Sequence, residues 1–208
     1  MGVSKMSSKL LLSEYYSMGV CKDGVCQDLL TESEKKLRKE GVKFLVGVMQ
    51  RFDEKNSNGR IYSEDILRRE VKNYKILIEE HRAYGELDHP NDAVVNLQKA
   101  SHRVVDLWWE GNDLMGKVRV LSTPCGKILS SLIDDDGVLG MSSRGVGSTR
   151  VSNGVTMVED DFQLICFDIV ADPSTKGAYM HLNESQIKKA FSKEDRINRL
   201  VNDILRKK

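Results

Sequence analysis

The spacing of hydrophobic and polar residues predicts four helices. From residue 183 onward, apolar residues recur at helical intervals and leave a polar face between them, which is typical of an amphipathic helix. Three earlier segments begin at a Ser or Thr that can cap a first turn, and each continues with helix-forming residues. These three predicted helices cover residues 31–40, 63–81 and 123–133.

Apolar, β-branched runs between these helices predict strands. Gly111-Asn112-Asp113 separates two such runs and predicts a hairpin, and Asn153-Gly154 predicts a second one. Mostly antiparallel strands with helices packed around them indicate the α+β class, with a small closed sheet as the expected architecture. The predicted strands cover residues 42–49, 83–87, 103–109, 114–121, 138–149 and 162–171.

The two ends of the chain differ from its middle. Residues 1–30 are punctuated by glycines and show no period, so we expect a peripheral arm there. With the helix that follows, this arm gives a predicted N-terminal segment over residues 1–40. A main domain is predicted over 41–182, and the amphipathic helix forms a C-terminal tail over 183–208.

Composition narrows the class of protein. The 208 residues suffice for one domain with a sizeable core and are too few for two. The charges cancel to a formal +1, which gives no sign of a nucleic-acid partner. No apolar run approaches the roughly 20 residues that cross a bilayer. The four cysteines are scattered, so we expect no disulfide framework, and a reducing cytosol fits best.

Two short segments could carry chemistry. His89 stands where a predicted strand ends before Pro90, and a neutral imidazole can accept a proton near neutral pH. Ser142 and Ser143 stand in a Gly-rich extended segment, where glycines let a substrate backbone approach and free amides can bind an oxyanion. Taken singly, these features are more often a histidine in a polar turn and a Gly-rich edge strand.

A third segment contains an acidic residue within an apolar strand. Asp168 interrupts the predicted strand over 162–171. A buried carboxylate is costly unless it is paired, and an imidazole N–H is a good partner for it. An aspartate that faces water through strand alternation is the equally weighted alternative.

Four motifs stand in separated parts of the chain. They are Gly-Glu-Leu-Asp-His-Pro (85–90), Val-Asp-Leu-Trp-Trp-Glu-Gly-Asn-Asp (105–113), Gly-Met-Ser-Ser-Arg-Gly-Val-Gly (140–147) and Phe-Asp-Ile-Val-Ala-Asp-Pro-Ser (167–174). Together these motifs resemble the prohead core proteases of large tailed phages. The similarity runs from about residue 42 to 180 and includes the loop at 56–62. It implies a herpesvirus-protease-like fold, which is a small, mostly antiparallel β-barrel surrounded by helices.

The resemblance implies a serine endopeptidase of the Ser-His-Asp type. It makes Ser142 the nucleophile and His89 the general base. Asp168 is the third member, because it falls where the herpesvirus enzymes place a second histidine. Asp88 is the rival for that role, although neighbours on an extended chain point to opposite faces.

The same resemblance implies supporting residues and partners. Arg144 and the Gly145 amide are expected to hold the oxyanion, directly or through water, with Ser143 beside them. The implied substrates are scaffold or core, major capsid and portal precursor proteins, inside an immature prohead in the host cytoplasm. The implied mechanism needs no metal or cofactor, and homo-oligomerisation stays open. The balanced charge and the lack of a long apolar run predict no nucleic-acid or membrane partner.

Proteases of this type prefer Leu or Ile two residues before Glu and cut after the Glu. Glu14, in the predicted arm, and Glu184, where the predicted tail begins, both complete such a triplet. Exposed termini and linkers provide the extended segments that proteases cut, so these are the predicted self-cleavage sites. The triplets at 77–80 lie in a predicted helix and should be protected.

Two other classes of function stay open. In the first, the chain is a non-catalytic structural component of the prohead core, and its amphipathic tail is the working surface. The second, held at much lower weight, is a metal hydrolase that uses Glu86, Asp88, His89 and His102.

Overall fold

The computed structural model describes residues 10–20, 29–90, 92–152 and 154–171. Three α-helices lie in these segments: α1 (Glu32–Lys39), α2 (Glu64–Glu79) and α3 (Pro124–Asp134). They are capped by Thr31, Ser63 and Thr123, which confirms the predicted starts. None of them is long and apolar enough to cross a membrane. The amphipathic helix predicted after residue 183 lies outside the described residues.

Strands from both halves of the chain form two sheets. The larger sheet has seven strands in the order β10-β7-β1-β2-β6-β5-β4, and the smaller has three in the order β3-β9-β8. All neighbouring strands pair antiparallel except β3 with β9. The fold is therefore α+β and mostly antiparallel, as predicted. The strands are β1 (Leu10–Val20), β2 (Phe44–Arg51), β3 (Arg60–Ile61), β4 (Tyr84–Glu86), β5 (Ala100–Glu110), β6 (Asp113–Val120), β7 (Gly140–Gly147), β8 (Thr149–Ser152), β9 (Val155–Val158) and β10 (Gln163–Val170).

The strand β1 corrects the expectation of a peripheral arm. It lies inside the large sheet, where it pairs along most of its length with β7 and through its last residues with β2. Leu12 in this strand is buried, at 1% exposure. A strand with neighbours on both edges need not alternate apolar and polar residues if both of its faces are covered, so periodicity gave no signal here. The division of the chain at residues 40 and 182 stays a prediction.

The large sheet curls until its two edge strands meet, but it is not a closed barrel. The contact is one parallel bridge between Leu87, just beyond β4, and Ile169 in β10. β4 has only three residues, and its chain then turns away through Asp88, so no ladder of hydrogen bonds can form between the edges. The expected barrel is therefore replaced by an open sheet whose ends touch at one point.

A hydrophobic core fills the concave side of this sheet. The aromatic ring of Tyr74 in α2 meets that of Phe167 in β10 edge to face, with centroids 5.3 Å apart. Leu129 and Ile133 bring α3 into the same core. On the outer face of the sheet, a smaller cluster around Phe44 lies beneath α1. The larger cluster thus packs against one face of β7 and β10, the strands that carry most of the predicted site residues.

Candidate active site

Strands β7 and β10 bring three of the predicted residues onto one face of the sheet. Ser142 in β7 lies directly opposite Asp168 in β10. Residues opposed in this way project on the same side, with Cβ atoms about 4.5–5.5 Å apart. Arg144, two residues further along β7, shares that face, whereas Ser143 projects to the other.

His89 reaches this face from the opposite edge of the sheet. The chain turns at Asp88, whose φ of +70° is in the left-handed region. The Asp88 amide donates to the Ile169 carbonyl oxygen (2.8 Å), and the Asp88 carboxylate accepts a hydrogen bond from the His89 amide (2.9 Å). This turn brings His89 Nδ1 to 2.9 Å from Asp168 Oδ2, with the imidazole only 12% exposed. The structure therefore places the His89 imidazole in hydrogen-bond contact with Asp168. The Asp88 carboxylate instead accepts a hydrogen bond from a backbone amide.

Asp168 is fully buried and accepts several hydrogen bonds. Oδ2 accepts from His89 Nδ1 and from Arg144 Nε (2.8 Å). Oδ1 accepts from the Glu86 amide (3.0 Å), Arg144 Nη2 (3.2 Å) and the Cys166 thiol (3.4 Å). Burial pushes the pKa of Asp168 upward, but the His89 hydrogen bond and the Arg144 charge outweigh it, so the pKa lies below its ordinary value. The group is an ionised carboxylate at neutral pH.

The ionised carboxylate fixes the tautomer of His89. A carboxylate can only accept, so the imidazole proton lies on Nδ1, facing Asp168. In the neutral ring the lone pair is then on Nε2. This is the orientation that a general base requires if it is to accept a proton through Nε2.

Arg144 binds two carboxylates at the centre of the cluster. Nε and Nη2 donate to Asp168, Nη2 also donates to Glu86 Oε1 (2.8 Å), and Nη1 donates to the Asp92 carbonyl oxygen (2.6 Å). The side chains of Arg144, Glu86 and Asp168 are all 0% exposed. One guanidinium against two carboxylates leaves this group with a net charge of −1.

Ser142 is buried with an unpaired hydroxyl. Its exposure is 0%, and its Oγ makes no hydrogen bond within the part of the chain that the structure describes. A buried hydroxyl without a partner costs about 1–3 kcal/mol, so structures seldom retain one without a reason.

Ser143 and Gly145, the other predicted supporting residues, each make contacts that hold β7 in the fold. Ser143 Oγ accepts a buried hydrogen bond from Gln50 Nε2 (2.9 Å), on the face away from Asp168. Gly145 lies between Leu12 of β1 and Leu164 of β10. A Cβ added there would come within 2.5 Å of the Phe162 ring. Packing against this ring is therefore sufficient to explain the glycine.

A second histidine supports β10 from beneath. His102 Nε2 lies 3.0 Å from the Phe167 carbonyl oxygen, and Nδ1 lies 2.9 Å from Ser101 Oγ. A carbonyl oxygen only accepts, so Nε2 carries the proton and Nδ1 accepts from the hydroxyl. Gly85 leaves the space for this ring, because a Cβ there would lie 2.3 Å from His102 Nε2. Both ring nitrogens are thus satisfied in the neutral form.

Stability should fall as His102 becomes protonated. Burial lowers its pKa from 6.5 to about 4, against the opposing effects of the Asp168 charge and the Phe167 hydrogen bond. The folded state thus favours the neutral ring, whereas the unfolded chain binds the proton below pH 6.5. The free energy of unfolding is therefore expected to fall by about 3 kcal/mol between pH 6.5 and 4. Urea unfolding at a series of pH values measures this loss, and His102→Gln should flatten the profile. An equally steep profile in His102→Gln would assign the loss to other groups.

Two of the residues considered for a metal hydrolase bind other protein groups. Glu86 pairs with Arg144, and His102 bonds to Ser101 and Phe167. Within residues 10–20, 29–90, 92–152 and 154–171, no three His, Cys, Asp or Glu side chains are grouped to hold a metal ion.

Sequence reasoning missed two buried members of this cluster. Glu86 was considered only as a metal ligand, yet it is the second carboxylate on Arg144, and its Oε1 also accepts from the Asn96 amide (2.9 Å). Its signal was the same as that of Asp168, an acidic residue within a buried strand. Cys166 gave no signal in the sequence. Burial raises the pKa of its thiol, so it stays protonated and donates to Asp168.

Of the two predicted self-cleavage sites, the structure describes one. Glu14 lies in β1, opposite Ser143 of β7, and not in an exposed arm. Cleavage there would require a central strand to leave the sheet. The triplets at 77–80 lie at the end of α2, as expected. Glu184 lies outside the described residues.

Comparison with known proteins identifies the family of this chain. The chain is 32% identical over 197 residues to the prohead core protein protease of Enterobacteria phage T4, covering 90% of this chain and 92% of the relative. The solved structure of the bacteriophage T4 capsid assembly protease superposes with a TM-score of 0.66 at 27% identity, covering 80% of this chain and 99% of that one. The family model for prohead core protein serine proteases matches residues 18–188, beyond both ends of the similarity seen in the sequence. The chain therefore belongs to the prohead core protein serine protease family.

Proposed function

We propose that this chain is a serine endopeptidase that cleaves scaffold or core, major capsid and portal precursor proteins inside the immature phage prohead. One observation carries the proposal. Ser142 stands opposite Asp168 with an unpaired hydroxyl, and Asp168 holds His89 in the tautomer of a general base. The relatives named above, a prohead protease and a capsid assembly protease, support the substrate class and its location.

In the proposed mechanism, Ser142 Oγ attacks the scissile carbonyl carbon while His89 Nε2 takes its proton. The resulting imidazolium then protonates the leaving amine, and water hydrolyses the acyl-enzyme by the same route. Asp168 keeps the imidazole oriented. The net charge of −1 shared by Asp168, Glu86 and Arg144 stabilises the imidazolium as it forms.

We assign Arg144 a positioning role in place of the expected oxyanion role. Its Nε, Nη1 and Nη2 atoms all donate to buried acceptors, so binding an oxyanion would require it to give up one of these bonds. Gly145 lies in a strand paired on both sides, where backbone amides serve the sheet ladders. Ser143, which bonds to Gln50, is a support of the strand and not the nucleophile.

Labelling with a fluorophosphonate tests this proposal. Such probes react with an activated serine hydroxyl, so peptide mapping should place the adduct on Ser142. His89→Ala should prevent labelling, because the serine then lacks its base. Labelling of Ser143 would instead identify Ser143 as the nucleophile. A folded chain that is never labelled and never cleaves a capsid precursor would instead favour the non-catalytic core component.

Asp168→Asn should reduce cleavage far more than Asp88→Asn. An amide at position 168 can present its N–H to the imidazole, which favours the wrong tautomer and removes the charge that stabilises the imidazolium. A loss on the order of 10⁴-fold is expected in kcat. Asp88→Asn keeps an oxygen that can accept the His89 amide, so its effect should stay within about tenfold. Steady-state cleavage of a peptide substrate measures both, and the opposite ranking would give the third role to Asp88.

Self-cleavage is proposed after Glu184, within Leu182-Asn183-Glu184, on the preference for Leu or Ile two residues before Glu. Active chain incubated alone should shorten there, and Ser142→Ala should keep its full mass. Intact-mass spectrometry measures the product, with Glu184→Gln as the matched control. A first cut after Glu14 or Glu79, or none at all, would contradict the proposal, since those residues lie in regular structure.

We also propose that the curled sheet is the counterpart of the barrel in herpesvirus maturation proteases. The support is the meeting of its edge strands at Leu87 and Ile169, directly beside the His89–Asp168 pair. Superposition of an acyl-enzyme structure of this chain on such a protease would test the correspondence.

A further inference from the structure

Two arginines lie directly opposite each other on the outer face of the large sheet, Arg103 in β5 and Arg119 in β6. The Nε atoms of both are buried, and among the described residues neither has a hydrogen-bond partner. The described segments likewise contain no ion pair of either guanidinium.

Two cations in direct opposition are unfavourable when no acceptor lies between them. Like charges facing each other across an antiparallel pair are destabilising, and a buried donor without an acceptor adds a desolvation cost. Lys117, on the same face of β6, has acceptors. Its ammonium donates to Glu34 (2.7 Å) and to the Leu29 carbonyl oxygen (2.8 Å). Among the described residues, no equivalent acceptor serves the two arginines.

These arginines line a pocket beneath α1. Its volume is about 270 Å³. The charged or titratable groups that line it are Arg103, Arg119, Glu34 and His81, and Glu34 is already paired with Lys117. The pocket therefore has an excess of positive charge.

The remaining wall of the pocket is partly apolar. Leu37 of α1 and Ile78 of α2 line it together with Phe44 and Val105 of the sheet. A small inorganic anion would satisfy the arginines but leave this surface without a partner. A ligand that carries both a carboxylate and an aliphatic group would complement both parts.

We propose that this pocket binds an acidic peptide segment, in which a Glu or Asp carboxylate bridges Arg103 and Arg119 and a neighbouring aliphatic side chain packs on Leu37 and Phe44. Guanidinium groups bind carboxylates in bidentate pairs, and burial of both Nε atoms strengthens such pairs. The pocket is separate from the catalytic cluster, because the residues that line it include none of Ser142, His89 and Asp168.

Peptide binding by the full-length chain tests this site without reference to cleavage. The probe is a fluorescein-labelled peptide built from Glu-Gly-Leu triplets, in which no Leu or Ile stands two residues before a Glu. Its control has Gln at every Glu. Fluorescence anisotropy should show binding of the Glu peptide, and about tenfold to a hundredfold weaker binding of the Gln peptide.

Arginine variants locate the binding. Arg103→Gln and Arg119→Gln should each weaken binding of the Glu peptide about tenfold or more, and Arg119→Lys, which keeps the charge without the fork, should be intermediate. Arg150→Gln is the matched control, because Arg150 is exposed and pairs with Glu159. Equal weakening in Arg150→Gln would show non-specific attraction and overturn the proposal, as would absence of binding.

Two further measurements complete the test. Without peptide, Arg103→Gln should raise the urea midpoint, because it removes one of two facing charges; a lowered midpoint would mean that the pair is satisfied in the free chain and would overturn the proposal. The second measurement is the binding of inorganic phosphate to the same chain. Arginine-dependent binding of phosphate with no preference for the Glu peptide would make this a simple anion site and overturn the peptide assignment. A chain that fails to bind peptide yet cleaves capsid precursors would refute this site alone.

Discussion

Ser142→Ala is expected to abolish cleavage of a capsid precursor while it stabilises the fold. Loss of the nucleophile removes the acyl-enzyme route, and the rate should fall on the order of 10³- to 10⁶-fold. The same change removes a buried hydroxyl that has no hydrogen bond to any described residue, so the free energy of unfolding should rise by about 1 kcal/mol or stay unchanged. A loss of activity together with a gain in stability would indicate that the hydroxyl is retained for function although it lowers the free energy of unfolding.

Ser143→Ala is the matched control for this prediction. It removes a hydroxyl of the same size from the next residue, but one that accepts a hydrogen bond from Gln50. Stability should fall by about 1 kcal/mol, and cleavage should continue. Urea unfolding and precursor cleavage on both variants give four measurements. If Ser142→Ala stays active and Ser143→Ala does not, the nucleophile has been assigned to the wrong serine.

Arg144→Met is expected to cause the largest loss of stability of any single change near the site. Met keeps an unbranched apolar stem but removes the guanidinium with its charge and hydrogen bonds. Glu86 and Asp168 would then lie buried without the guanidinium between them. Removing one partner from a buried ionic group costs about 3–5 kcal/mol, and cleavage should be lost because Asp168 is no longer held against His89.

Two variants separate this effect from simple loss of an arginine. Arg150→Met removes an exposed arginine paired with Glu159 and should cost less than about 1 kcal/mol. Arg144→Lys keeps the charge but cannot bridge both carboxylates, so stability and activity should be intermediate. Thermal unfolding and cleavage measure all three. A fully stable Arg144→Met would show that the carboxylates are neutral in the fold and would contradict the charge assignment of the cluster.

Much of the fold was predictable because local signals agreed with the global structure. Thr31, Ser63 and Thr123 each cap a helix that begins where predicted. The hairpin at Gly111 forms because glycine readily adopts the φ of +59° found there. These features depend on a few neighbouring residues, so a single sequence suffices to predict them.

Features that depend on distant contacts were not predictable. β1 is central because β7 and β2 pair with it, and nothing within residues 10–20 marks that position. A closed sheet was expected from the pattern of strands and a barrel from the resemblance, whereas the two edges of the sheet meet only through one bridge at Leu87.

The candidate site was likewise predictable only in part, because some of its features depend on distant contacts. Acidic, basic and hydroxyl residues in strands identified its members. The partners of Arg144 depend on register and burial, so the sequence could not distinguish an oxyanion role from a positioning role.

The bridge between Leu87 and Ile169 has a consequence for the order of folding events. His89 follows one edge strand and Asp168 lies in the other, 79 residues apart. Contacts at such separation form late, because the entropy of closing a long loop must be overcome before they stabilise anything. The His89–Asp168 pair therefore needs both edge strands of the large sheet in place. A nascent chain that has not yet brought these edges together lacks the pair, so the candidate site would be assembled only late in folding.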